Sequence, residues 1–69
     1  MESIKLSILI PTYNFKSGIN KILDCIESID DNLRNFIEII ISDDSDYEII
    51  QKNRNESLKN SFKNYIYNH

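Results

Sequence analysis

The chain is poor in the residues that staple or punctuate small proteins. It has one cysteine, Cys25, so no disulfide can form within it. One cysteine and one histidine, His69, cannot supply the Cys/His ligand set of a structural zinc site. Its only glycine, Gly18, excludes both the G-x-G-x-x-G dinucleotide fingerprint and the glycine-framed phosphate loop. No apolar run approaches the roughly 20 residues of a membrane-spanning helix. The opening Met1-Glu2-Ser3-Ile4-Lys5 has no basic segment, and the apolar stretch from Leu6 to Ile10 is too short for a signal core. A cytoplasmic protein without a membrane span is therefore expected. The net charge of −3 does not invite nucleic acid.

What remains is an ordinary mixture, 41% hydrophobic and 28% charged, which is the range of foldable globular chains. At 69 residues there is room for one domain. A chain of this size buries only about 60% of the surface it exposes when unfolded, which makes it either a compact miniature or the opening of something larger.

The hydrophobic pattern gives the order of elements. Residues 4–10 form a short branched apolar run that reads as a strand, closed by Pro11, which cannot donate to a ladder. Ser17 is placed to cap a helix whose apolar residues, Ile19, Ile22, Leu23, Ile26 and Ile29, recur at helical spacing. Cys25 lies beside that stripe and reads as a small buried hydrophobe. Asp30-Asp31-Asn32 breaks the helix. Residues 36–41 are almost continuously β-branched, which suits a central strand covered on both faces. A second helix is expected from about Tyr47 to Leu58, capped by Asp46, with Ile49, Ile50 and Leu58 as its apolar contacts. The aromatic tail from Phe62 to Asn68 reads as a third strand, in which Tyr65 and Tyr67 pack or pair. Strand, helix and strand at this spacing predict a parallel pair.

In an open parallel sheet, ligands bind beyond the carboxyl ends of the strands. Two polar clusters fall there, Pro11-Thr12-Tyr13-Asn14 after the first strand and Asp43-Asp44-Ser45-Asp46 after the second. Their chemistry suits a nucleoside. A carboxylate accepts from a base N–H or a ribose hydroxyl, a tyrosine ring offers a stacking face, and proline fixes the backbone that carries them.

The segment Leu6-Ser7-Ile8-Leu9-Ile10-Pro11-Thr12-Tyr13-Asn14 resembles the opening strand of family 2 glycosyltransferases. Ile37-Glu38-Ile39-Ile40-Ile41-Ser42-Asp43-Asp44-Ser45-Asp46 resembles their second strand and its acidic end. The resemblance implies an α/β fold, a Rossmann-like parallel sheet of order β-α-β-α-(β) forming the first half of a GT-A nucleotide-binding domain, with residues 1–69 as a single partial domain. It implies a nucleotide-sugar donor, most often a UDP-sugar, with Pro11, Thr12 and Tyr13 against base and ribose. Asp44 would accept from the base, and Asp43 would shape the turn or touch the ribose. The family follows its paired acids with Gly-Ser, Thr and Asp, whereas Ser45 and Asp46 follow directly here, which leaves the role of Asp46 open. In the family a later Asp-x-Asp motif holds a divalent cation, Mn or Mg, on the donor diphosphate. That motif and the catalytic base are not among these residues, so the chain by itself is expected to hold no metal and to be inactive. The alternative is a small non-enzymatic α/β module that binds a protein partner, or a second copy of itself, through an exposed sheet edge.

Overall fold

The computed structural model describes residues 3–69; Met1 and Glu2, the start of the run searched for a targeting segment, lie outside the described residues. Strand β1 (Leu6–Thr12) is followed by helix α1 (Lys16–Glu27) and the single turn α2 (Asp31–Arg34). Strand β2 (Ile37–Asp43), helix α3 (Lys52–Ser61) and strand β3 (Asn64–Asn68) complete the chain. The strands form one sheet in the order β1-β2-β3, and both pairings are parallel. This is the expected α/β, Rossmann-like arrangement. No helix among the described residues is long and apolar enough to cross a membrane.

The sheet has two unequal faces. Side chains alternate along a strand, and Ile10, Ile37, Ile39, Ile41 and Tyr65 all point to one side, where they join Ile19, Leu23 and Ile26 of α1 and Leu58 of α3 in one core. Leu23, Ile39 and Ile41 are completely buried. Truncating one of them to alanine should cost about 2–5 kcal/mol, as much as a core of this size supplies. On the other side, Leu9, Ile40 and Ile66 stand in register across the three strands. Leu9 is 67% and Ile66 48% exposed. Covering of β2 on both faces, expected from its continuous branched run, is therefore not what the described residues form: composition does not reveal which side the helices take.

Several boundaries differ from the sequence reading, each for a local reason. Pairing runs through Pro11, which sits opposite Ser42, and ends at Thr12 opposite Asp43. In a strand a residue's N–H and C=O point the same way, and Thr12 faces β2 because its carbonyl accepts from the Asp44 amide at 3.0 Å. The Pro11 nitrogen thus faces the open edge, where no ladder donor is needed. Helix α1 starts at Lys16, with Phe15 in the capping position and no side-chain cap, so Ser17 lies inside the first turn. Cys25 is exposed, not buried. Helix α3 begins at Lys52, with Gln51 as its N-cap. Ile49 and Ile50 are buried, but from the loop before the helix, and Asp46 does not cap it.

Two arginines secure the helical layer. Arg34 donates to the carbonyls of Glu27 and Ile29 at 3.0 Å each, satisfying acceptors at and just past the end of α1. Its guanidinium lies 5.0 Å from the centroid of the buried Phe62 ring. Arg54 of α3 bridges to Asp24 at 2.6 Å and Glu27 at 3.0 Å on α1.

Candidate functional site at the carboxyl rim of the sheet

Because β1 and β2 are parallel neighbours, the loops that follow them leave the same end of the sheet. The last register pair is Thr12 with Asp43, and the Asp44 amide then donates to the Thr12 carbonyl at 3.0 Å. Pro11, Thr12, Tyr13, Asp43 and Asp44 therefore share one rim. Tyr13 is 64% exposed. Asp44 is also exposed, and no protein donor among the described residues reaches its carboxylate. Pro11 is exposed and Thr12 half-buried.

Asp43 differs from its neighbour. It is 3% exposed, on the helix-covered face of β2. One carboxylate oxygen accepts from the Ser45 amide at 2.9 Å; the other accepts from the Ile49 amide at 3.4 Å and from the Tyr67 hydroxyl. Burial pushes the Asp43 carboxyl up, but the Ser45 hydroxyl, the Tyr67 hydroxyl and the Ser45 and Ile49 amides together outweigh it and hold the pKa at about 2. Its oxygens face inward, so of the two roles expected for Asp43 the geometry supplies the shaping of the turn. That turn sets the exposed Asp44 beside Thr12.

The contacts among the named residues Asn14, Ser45 and Asp46, and the parts played by Tyr67 and His69, were not legible in the sequence. The Asn14 amide donates to Ser45 Oγ at 2.6 Å. The Asn14 side chain donates from Nδ2 to Asp46 Oδ2 at 3.1 Å and accepts the Asp46 amide on Oδ1 at 3.0 Å. Asp46 thus pairs with the neighbouring loop. Tyr67 reaches Asp43 from β3, and His69 donates from Nε2 to the Ser45 carbonyl at 3.0 Å. All of these are contacts between loops or strands far apart in the chain, which periodicity does not encode. Only the backbone of Asn14, in the left-handed region at φ 49, belongs to a residue type that signals it, since asparagine tolerates that conformation.

Among the described residues no three His, Cys, Asp or Glu side chains are grouped to hold a metal ion. Asp43 is engaged inside the loop and Asp46 is paired with Asn14, which leaves Asp44 as a lone carboxylate. The donor set at this rim does not fit a divalent cation. A groove of about 540 Å³ lies beside the first turn of α3 and is lined by Glu48, Ile50, Gln51, Lys52, Asn55 and Glu56. None of the rim residues lines it, and its mixed charges define no ligand. No protein-family model, curated protein or solved structure matches the chain.

Proposed function

We propose that the chain is the nucleotide-sugar-binding, amino-terminal part of a family 2 glycosyltransferase, an enzyme class that moves a glycosyl group from a nucleotide sugar of UDP type to an acceptor. The observation that carries the reading is the meeting of the Tyr13 and Asp44 loops at the carboxyl rim of a parallel sheet, joined by the Asp44 amide and the Thr12 carbonyl. The exposed Tyr13 ring would stack on the base. The Asp44 carboxylate would accept from a base N–H, a charge-assisted bond with a direction fixed by the turn beneath it. Pro11 and Thr12 would flank the ribose. Any cation on the diphosphate would take its ligands from residues other than these.

Titration of the 69-residue chain with uridine and with a UDP-sugar, each with and without manganese, tests the proposal. Saturable binding is expected, and Asp44→Ala should weaken it by about tenfold or more, the worth of a hydrogen bond to a charged group. Binding that ignores Asp44→Ala would remove the base-reading role.

A second reading is favoured by one observation, the uncovered sheet face with Leu9, Ile40 and Ile66 in a row. Parallel sheets are seldom left bare on one side. On this reading the chain is a non-enzymatic module whose exposed face or edge meets a protein. A stable dimer by sedimentation, together with no nucleoside binding, would decide for it.

A further inference from the structure

We propose that Asn14 and Asp46 are positioning residues of the rim: their reciprocal side-chain pair sets the separation between the Tyr13 ring and the Asp44 carboxylate. This rests on the nucleoside-binding reading above.

The two groups offered to a ligand come from different loops. Sheet pairing holds those loops together only as far as Thr12, Asp43 and the Asp44 amide. Beyond that point the links between them are the Asn14 amide to Ser45 Oγ, Asn14 Nδ2 to Asp46 Oδ2, and the Asp46 amide to Asn14 Oδ1. Each loop carries its ligand-facing group next to a member of this clasp, Tyr13 before Asn14 and Asp44 before Ser45 and Asp46. A recognition group displaced by even an ångström loses much of its effect, so the loops need such a restraint.

The residue type at position 14 fits the task. The backbone there is left-handed, at φ 49. Glycine would adopt that conformation more easily but has no side chain to bridge. Aspartate would accept from the Asp46 amide but would set a second carboxylate against Asp46. Asparagine combines tolerance of this backbone with a donor and an acceptor on one short side chain. The two side-chain bonds are solvent-exposed. Exposed bonds add little to global stability, so they act chiefly on local geometry.

The experiment follows from this separation of local from global effects. Uridine is titrated into the full chain by NMR, reading the Tyr13 and Asp44 amides, while thermal melting is recorded in parallel. Asn14→Gly keeps the backbone and deletes both side-chain bonds, so affinity should fall by about tenfold with the melting temperature nearly unchanged. Asn14→Asp should weaken binding as well, and the exchange Asn14→Asp with Asp46→Asn should restore it, because donor and acceptor are swapped and kept. If Asn14→Gly melts early, the comparison of Asn14→Asp with the exchanged pair decides alone. Undiminished uridine affinity in Asn14→Gly, or no recovery in the exchanged pair, would overturn the positioning role. Failure of the unmutated chain to bind uridine would overturn the nucleoside reading first, and this inference with it.

Discussion

Tyr67 donates its phenolic hydrogen to Asp43. The far end of the third strand is thereby joined to the carboxylate that orders the loop after the second. The same carboxylate receives the Ser45 and Ile49 amides, so one buried group connects β2, β3 and the candidate rim.

Asp43 makes stability depend on acid. Its pKa is lowered from 3.8 to about 2 because its donors outweigh its burial. A carboxyl more acidic in the folded state stabilises fully above the unfolded value and loses that contribution as pH falls through the folded one. The melting temperature should therefore drop by about 5–10 °C as pH falls from about 4 to about 2. Asp43→Asn, which cannot serve the same donors with two anionic oxygens, should be destabilised by about 1–3 kcal/mol at neutral pH. It should lack that part of the acid slope. Melting curves across this range check both.

Two tyrosines should titrate late. Burial raises Tyr65 to about 12; burial, followed by the bond to Asp43 and the charge of Asp43, raises Tyr67 to about 12. A phenol that holds its proton longer when folded stabilises fully below the ordinary value of 10, and the effect fades as pH rises toward 12. In an alkaline absorbance titration their share of the tyrosinate signal should appear only near pH 12, together with unfolding. Tyr67→Phe should remove its part of that late phase.

Gly18 lies in the first turn of α1 under the Phe15 ring. A methyl group there would meet ring atoms at 2.1, 2.3 and 2.7 Å. The ring is 62% exposed and can swing outward at little cost. Replacing glycine by alanine inside a helix gains about 0.5–1 kcal/mol. Gly18→Ala should therefore raise the melting temperature by a few degrees.

The bare face gives a prediction on solubility. Leu9→Thr with Ile66→Thr puts β-branched threonine at two exposed strand positions and removes two apolar side chains from water. The fold should be retained within about 0.5 kcal/mol per site, and the concentration at which the chain associates should rise. Light scattering against concentration measures this.

The strands were legible because short branched runs such as Ile37 to Ile41 bury alternate residues, and the α1 stripe was legible because Ile19, Leu23 and Ile26 repeat at helical spacing. The second helix was misplaced because Ile49 and Ile50 are core residues supplied by a loop, which burial cannot distinguish from a helix face. The strand end was set too early at Pro11 because its exclusion from a ladder applies only to residues whose nitrogen faces a neighbour. At the rim, the residue types offered to a ligand could be listed from the chain alone. The Asn14–Asp46 pair could not, since it spans 32 positions and rests on the register of β1 with β2.

Pro11 also shapes what can grow from the sheet. Its nitrogen faces outward on β1, so any newcomer aligning along that margin finds donors beside Ser7 and Leu9 and then none. A zipper started at the bottom of the strand would stall before the top. The rim that carries Tyr13 and Asp44 would stay unobstructed even in a chain that had acquired a neighbour at its side.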